Sequence, residues 1–245
     1  MQTVDFAGIT VDNVSLDEAT AKVATFFSAS EPKMIVTPNP EIIVASQQDE
    51  ELKQIINSAD LRVPDGISMV VVSKLLGRPI KERVSGIDLM LSLMDVCGKT
   101  GSKVFLLGGA PGVAQEAASK LVSRYQGLNI VGTYHGYFKN DGEAIDQIKV
   151  TKPDVLFVGL GAGQQERWLN RHLKEMNIHV SMVIGGSLDV ISGRKKRAPQ
   201  WIQALYIEWL YRLITEPGRW KRQLALPKFL YLTLFRHAQS NRASK

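Results

Sequence analysis

Three short apolar runs between residues 103 and 184 each end in a cluster of glycines. They are Lys103–Leu107, Asp154–Val158 and Val180–Ile184. Runs of this length that are bounded by glycine are typical of buried strands, and Lys33–Thr37 and Asn129–Tyr134 fit a similar pattern. Apolar strands separated by helical segments indicate a mostly parallel sheet, because helices cover such a sheet on both faces.

The segments between these runs have helical spacing. Ser15 and Glu18 have the spacing of a capping box, which predicts a helix to about Phe27. Residues 1–14 are compatible with a small hairpin or edge strand. Further helices are predicted over residues 42–56, 67–76, 87–97 and from the 108–112 turn to residue 125. The predicted fold class is therefore α/β, with a mostly parallel, Rossmann-like sheet and helices on both faces.

The composition changes after Gly193. Three of the four tryptophans lie in residues 199–236, and a spacing of four places one set of apolar residues on one helix face. That set is Trp201, Leu205, Trp209 and Leu213. Pro217 and Pro227 predict breaks into short helices. We therefore predict an α/β core over residues 1–195 and a helical appendage over residues 196–245.

The excess positive charge belongs to this appendage. Residues 194–245 contain twelve Lys and Arg against two acidic residues, a net charge of +10. The preceding residues contain 18 basic and 22 acidic groups, a net charge of −4. A basic, aromatic-rich surface suits nucleic acid or an anionic membrane, and the amphipathic Trp/Leu face favours the membrane. The alternative is a helix that packs on the core with a basic outer face.

Cysteine usage and hydropathy indicate the compartment. The single cysteine, Cys97, lies in an apolar helical pattern that suits core packing, and one cysteine excludes an internal disulfide. No apolar run has the length of a transmembrane span, and the N-terminus lacks the order of a signal peptide. We expect a cytoplasmic protein.

A carboxylate stands between proline and glycine in Pro64-Asp65-Gly66, directly after the short predicted strand Leu61–Val63. Proline fixes its own φ and glycine adopts dihedrals that other residues resist, so Asp65 is predicted to lie on a tight strand-to-helix turn. Such turns line the ligand crevice of an open α/β sheet, which makes Asp65 a candidate catalytic residue. The alternative is an N-cap for the helix that follows.

Other chemistries find little support. The four histidines have no ligand spacing, no Asp-x-Asp occurs, and no Gly-x-Ser-x-Gly nucleophile motif is present. The remaining scheme is a general base with an anion-stabilising pocket, in which Thr37 and Asn39 orient hydroxyls from an adjacent strand end. Candidates for stabilising a leaving diphosphate are Arg83, Arg212, Arg219 and Arg222. Their alternative role is ordinary surface charge.

Glycine turns at successive strand ends point to a nucleotide or sugar-nucleotide site, since they let backbone N–H groups approach phosphate. Their alternative role is that of simple tight turns. A nicotinamide oxidoreductase is disfavoured, because the 108–112 turn lacks the spaced dinucleotide fingerprint.

Several motifs together resemble one known family, the WecG/TagA/CpsF glycosyltransferases. They extend over nearly the whole chain: Thr37-Pro38-Asn39-Pro40-Glu41, Pro64-Asp65-Gly66, Arg83-Val84-Ser85-Gly86, Gly108-Gly109, Gly159-Leu160-Gly161, Gln165-Glu166, Gly185-Gly186, Ser192-Gly193, Arg197-Ala198-Pro199, residues 208–213, Glu216-Pro217 and Arg219. Within the family the chain most resembles the wall teichoic acid branch.

The resemblance implies an inverting transfer of N-acetylmannosamine from its UDP derivative. The acceptor would be N-acetylglucosamine on a polyprenyl diphosphate, such as N-acetylglucosaminyl-diphospho-undecaprenol. The product would have a β-1,4 linkage, the protein would lie on the inner face of the cell membrane, and no metal or cofactor would be needed. A related transfer from UDP-N-acetylmannosaminuronate or UDP-glucose is the alternative, and a nucleic-acid-binding module is the rival of another class. A homodimer, or monomer–dimer exchange, is also expected.

The same resemblance assigns residues. Asp65 would deprotonate the acceptor hydroxyl, and the pocket around it would be lined by Thr37, Asn39, Arg83 and Gln165. The UDP-sugar would be bound by Gly108, Gly109, Gly112, Tyr137, Gly159, Gly161, Gly186 and Asp189. The lipid diphosphate would meet Arg212, Arg219 and Arg222.

Overall fold

A six-stranded sheet forms the centre of the protein. The computed structural model describes residues 2–204, 208–215, 220 and 224–243. The strands of the large sheet are β3 (Lys33–Val36), β4 (Leu61–Arg62), β5 (Lys103–Gly108), β6 (Asn129–Tyr134), β7 (Val155–Gly159) and β8 (Val180–Val183). They lie in the order β4-β3-β8-β7-β5-β6, and every neighbouring pair is parallel. The predicted parallel sheet is confirmed.

A small antiparallel hairpin precedes this sheet, as the weak alternation of the first residues predicts. It consists of β1 (Thr3–Phe6) and β2 (Ile9–Asp12). The Asp12 carboxylate accepts a hydrogen bond of 2.8 Å from the backbone N–H of Arg62. The hairpin is therefore attached to the β4 edge of the large sheet.

Helices occupy the connections between the strands. Those of the first 191 residues are α1 (Leu16–Phe26), α2 (Pro40–Ala45), α3 (Glu50–Ser58), α4 (Ile67–Leu75), α5 (Gly86–Thr100), α6 (Val113–Arg124), α7 (Asp141–Thr151), α8 (Gln164–Met176) and α9 (Ser187–Ile191). The capping box predicted at the start of α1 is present, with Ser15 and Glu18 bonded reciprocally.

Both faces of the sheet are apolar, which explains the continuous apolar runs in the sequence. On β7, Val155 and Phe157 pack in one buried cluster with α1, α5, α6 and α9, whereas Leu156 and Val158 pack in a second cluster with α2, α3, α4, α7 and α8. Alternate residues of a strand point to opposite faces, so a doubly covered strand must be apolar at every position. Cys97 lies in the first cluster, as predicted.

The single helix predicted over residues 42–56 is wrong. The chain forms α2, a short 3₁₀ turn at Ser46–Gln48, and then α3. Asp49 separates them because its carboxylate accepts a hydrogen bond from the N–H of Leu52 and caps α3. Helices α7 and α8 were not predicted, although the side chain of Asn140 caps α7 in the usual way.

Three further helices follow the sheet: α10 (Gln200–Ala204), α11 (Glu208–Thr215) and α12 (Ala225–Ala243). Pro227 lies beside a helix start: residue 224 is in a turn, α12 begins at Ala225, and the proline falls in the first turn of α12, where no N–H partner is lost. The buried ring of Phe229 stacks on Phe6 of the hairpin at 5.8 Å. Leu205 and Pro217 lie outside the described residues.

Among the described residues, no helix combines the length and the hydropathy that crossing a bilayer requires.

Candidate active site

Asp65 lies where the first two parallel strands end. After β4 the chain continues beside the end of β3, since Val63 N–H donates to Val36 O at 3.0 Å and Asp65 N–H donates to Pro38 O at 2.9 Å. These bonds hold the Asp65 turn against the turn that contains Thr37 and Asn39. The Asp65 side chain is 27% exposed, so solvent and a ligand can reach it.

The Asp65 carboxylate is bound by a helix, but not by the helix expected. The residue before α4 is Gly66, and no side chain caps that helix, so the N-cap alternative is wrong. Instead, Gly86 N–H at the start of α5 donates to Asp65 Oδ2 at 3.2 Å. The N-terminus of a helix carries partial positive charge, and α5 thus stabilises a negative charge on Asp65.

Thr37 lies in the same place. A methyl group added at Gly86 would come within 3.3 Å of Thr37 Cγ2 and 3.6 Å of Asp65 Oδ2. Three elements, the ends of β3 and β4 and the start of α5, therefore converge on one small space. Glycine at position 86 keeps that space open.

Arg83 connects this space to the helices after the sheet. Its Nε lies 3.7 Å from Asp65 Oδ1, and its Nη2 lies 3.1 Å from Glu208 Oε2. Burial acts to lower the pKa of Arg83, but the charges of Asp65 and Glu208 outweigh burial and raise the pKa above its ordinary value. Arg83 is therefore a permanent cation beside Asp65. Glu208 belongs to the family motif over residues 208–213, but sequence reasoning assigned it no role; it is 5% exposed and belongs to α11.

Asn39 has a structural role at the same edge. Its side-chain oxygen accepts a hydrogen bond of 3.0 Å from Ile42 N–H and caps α2, whose first residue is Pro40. The cap uses one of the two lone pairs of the amide oxygen and leaves the N–H groups of the amide for a substrate.

The three glycine turns lie side by side at the carboxyl ends of β5, β7 and β8. Gly108 pairs with Gly159 in the sheet, and a side chain at Gly108 would overlap the Gly159 backbone. A side chain at Gly159 would likewise reach within 2.5 Å of Gly185 O. The glycines are needed because three backbones approach one another closely here. Gly109, Gly112 and Gly161 all have positive φ.

Gln165 is placed beneath two of these turns, not on an open surface. It is 4% exposed, and its side-chain oxygen accepts a hydrogen bond of 3.0 Å from Gly185 N–H. Its neighbour Glu166 is 2% exposed and accepts hydrogen bonds from Gln165 Nε2 and Gly163 N–H. Burial raises the pKa of Glu166 above its ordinary value, against the opposing effect of those hydrogen bonds. Sequence reasoning assigned no role to Glu166, although a Glu three residues into a helix is a capping signal.

The other residues predicted to bind the UDP-sugar lie at the same edge of the sheet. Tyr137 is 74% exposed on the loop after β6, which Gly136 attaches to the β5 turn by donating to Gly109 O at 2.8 Å. Gly186 and Asp189 belong to the start of α9, after the β8 turn.

The predicted lipid-diphosphate arginines are not located. Arg219 and Arg222 lie outside the described residues, as does the side chain of Arg212 in α11. Within the described ranges, no group of three or more His, Cys, Asp or Glu side chains is arranged to hold a metal ion.

Comparison with known proteins identifies the family. A sequence model of the glycosyl transferase WecG/TagA/CpsF family matches residues 4–243. Three similar proteins bear the name N-acetylglucosaminyldiphosphoundecaprenol N-acetyl-beta-D-mannosaminyltransferase. The one from Bacillus spizizenii is 38% identical over 86% of this chain and 82% of its own length. The one from Bacillus subtilis is 37% identical over 82% of this chain and 78% of its own. The Staphylococcus aureus protein is 36% identical over 93% and 91%. The chain belongs to the WecG/TagA/CpsF family of glycosyl transferases.

Proposed function

We propose that this protein transfers N-acetylmannosamine from UDP-N-acetylmannosamine to N-acetylglucosaminyl-diphospho-undecaprenol, with inversion at the anomeric carbon. The names of its relatives support the sugar and the acceptor. The observation that carries the proposal is the convergence of Asp65, Thr37 and the Gly86 N–H at the edge of the sheet that also holds the glycine turns.

The proposed mechanism uses two parts of this edge, the Asp65 turn after β4 and the glycine turns after β5, β7 and β8. Asp65 takes the proton from the acceptor hydroxyl, the hydroxyl oxygen bonds to the anomeric carbon, and the bond from that carbon to the UDP oxygen breaks. The leaving diphosphate gains negative charge, and we assign its stabilisation to backbone N–H groups of the glycine turns and to the N-termini of α6 and α9. Base and leaving group are thus held by different strands.

Arg83 orients the base. Its guanidinium lies between the carboxylates of Asp65 and Glu208, with the Asp65 contact at 3.7 Å and the Glu208 contact at 3.1 Å. The tighter contact with Glu208 restrains Arg83 and keeps it beside Asp65. The carboxylate then approaches the acceptor from a defined direction, which intramolecular catalysis requires.

Residues 196–245 form an appendage that binds the inner face of the membrane, where the lipid acceptor resides. Exposed apolar side chains among the described residues after Gly193 support this proposal, and they are Trp201, Trp209, Leu210, Ile214, Trp220, Leu230, Tyr231, Leu234 and Phe235. The net charge of +10 over residues 194–245 adds attraction to anionic lipids. Arg212, Arg219 and Arg222 are proposed to meet the lipid diphosphate.

The catalytic proposal is tested with Asp65→Asn, which keeps the shape of the side chain and removes the base. We expect transfer from UDP-N-acetylmannosamine to fall by about 10²–10⁴-fold, the usual contribution of a general base. Asp60→Asn is the matched control, since Asp60 accepts a hydrogen bond from Met34 N–H at the opposite ends of β3 and β4. Asp65→Asn with more than a tenth of wild-type activity would refute the assignment.

The membrane proposal is tested in the full chain with Leu234→Gln and Phe235→Gln combined. Sedimentation with phosphatidylglycerol vesicles should fall several-fold, because two apolar contacts with the lipid are lost. The control is Val150→Gln, at an exposed apolar position on α7. Unchanged vesicle binding in the double variant would contradict the proposed lipid contact, and salt-dependent DNA binding without vesicle binding would favour the nucleic-acid alternative.

A homodimer is proposed in the absence of membrane, because an exposed apolar surface favours a partner. Sedimentation velocity of the wild type and of the Leu234, Phe235 double variant distinguishes a dimer from a monomer. A monomer at all concentrations would contradict this proposal.

A further inference from the structure

A chain of three hydrogen bonds joins the turns after β7 and β8. Gly163 N–H donates to Glu166 Oε2 at 2.6 Å, Gln165 Nε2 donates to Glu166 Oε1 at 2.9 Å, and Gly185 N–H donates to Gln165 Oε1 at 3.0 Å. Both ends of the chain are backbone groups of the glycine turns. Its two middle members are adjacent side chains at the start of α8.

The direction of each bond is determined by chemistry. A backbone N–H only donates, so the side chains at 165 and 166 must each offer an oxygen to one turn. The bond between the two side chains then needs one amide and one carboxylate. Glu166 and Gln165 are 2% and 4% exposed, so water does not replace a lost partner.

The two turns depend on these side chains. Gly163 and Gly185 have positive φ, at 83° and 52°, and neither amide lies within a strand or helix ladder. The side-chain oxygens at 166 and 165 are thus the acceptors that hold both amides in place. The turns in question adjoin Gly159, in the row of glycines proposed to bind the donor.

We infer that Glu166 is a positioning residue for sugar transfer, which acts through Gln165 to hold the β7 and β8 turns in register for the UDP-sugar. This inference rests on the proposed function. Glu166 itself is covered by the turns and does not touch the substrate. Gln165 acts in the same way, through Gly185.

Exchanging the two side chains tests the inference. Glu166→Gln presents an amide to two donors and accepts only one of them, so kcat/KM should fall about tenfold, mainly through KM for the UDP-sugar. Gln165→Glu brings two carboxylates together with no donor between them, and should be impaired at least as strongly. The double variant Q165E/E166Q reverses the middle bond and restores all three, so its kcat/KM should return to within about threefold of wild type.

A second carboxylate provides the control. Asp154 accepts a hydrogen bond of 2.8 Å from Lys103 N–H. This bond joins β7 to β5 at the amino ends of the two strands, away from the glycine turns. Asp154→Asn should lower the unfolding temperature without changing KM. If Glu166 only stabilised the fold, Glu166→Gln would behave in the same way, and that result would overturn the inference. So would a double variant no better than its single parents.

Hydrogen exchange of the wild type gives a test that needs no variant to fold. The amides of Gly163 and Gly185 should exchange at least tenfold more slowly than that of Gly161, which lies in the same turn as Gly163. Fast exchange at both would overturn the inference.

The binding of UDP, measured by calorimetry, should follow the same order among the variants as kcat/KM. A wild type that binds UDP but transfers no sugar would refute the proposed function and leave this order intact.

Discussion

Gly86→Ala should separate stability from activity. Gly86 is the first residue of α5, its φ is not in the left-handed region, and its N–H bond to Asp65 survives the substitution. Replacing glycine by alanine at a compatible helix position stabilises a protein by about 0.4–1 kcal/mol. The new methyl group, however, would lie 3.3 Å from Thr37 Cγ2, 3.5 Å from Thr37 Oγ1 and 3.6 Å from Asp65 Oδ2.

The magnitude follows from these contacts. The contact at 3.3 Å requires Thr37 to move by a few tenths of an ångström. Since a misplacement of 1 Å costs about 10²-fold in rate, this shift corresponds to a loss of about fivefold in kcat. The strain offsets part of the helix gain, so the free energy of unfolding should lie between unchanged and about 1 kcal/mol higher.

The assay compares kcat and the urea midpoint of Gly86→Ala with those of Gly142→Ala. Gly142 is also in the first turn of a helix, and its added methyl would meet Asn140 Oδ1 at the same 3.3 Å, but it lies on α7. Wild-type kcat in Gly86→Ala, or an equal loss in Gly142→Ala, would show that the space between Thr37 and Asp65 is not where the acceptor reacts.

Two other features give predictions of their own. Glu208→Gln removes the buried charge that pairs with Arg83 and should lower the free energy of unfolding, measured in urea, by about 2 kcal/mol. The control Asp95→Asn, in the exposed pair with Lys99, should change it by less than about 0.5 kcal/mol. Equal effects of the two substitutions would contradict the burial of the pair between Arg83 and Glu208. Burial raises the pKa of Cys97 to about 12. Iodoacetamide at pH 8 should therefore label the thiol of the native protein about a thousandfold more slowly than the thiol of the protein unfolded in urea. Comparable labelling rates would show that α5 opens readily and exposes Cys97.

The sheet was predictable because its signals are local. Three of the strands, β5, β7 and β8, each carry their own apolar run and their own glycine end, and the alternation with helices leaves few arrangements. The continuous helix predicted over residues 42–56 was wrong for the opposite reason. One capping aspartate, Asp49, outweighs the apolar periodicity on either side of it.

The site was predictable only in part. Asp65 and Thr37 follow strands, so the rule that ligands bind at strand ends places them at one edge. The bond from Gly86 to Asp65 spans 21 residues and that from Arg83 to Glu208 spans 125, and neither leaves a periodic trace in the sequence. Gln165 was expected in the pocket and is buried beneath it, because sequence motifs identify a residue without showing which way it faces.

The stacking of Phe229 on Phe6 has a consequence for folding. All six strands of the large sheet lie between the two rings in the sequence. The contact therefore closes a long loop, which costs conformational entropy until the sheet has formed and brought the hairpin and α12 close together. Packing of α12 on the hairpin thus depends on the sheet, and variants that destabilise the sheet should also release the proposed membrane-binding helix.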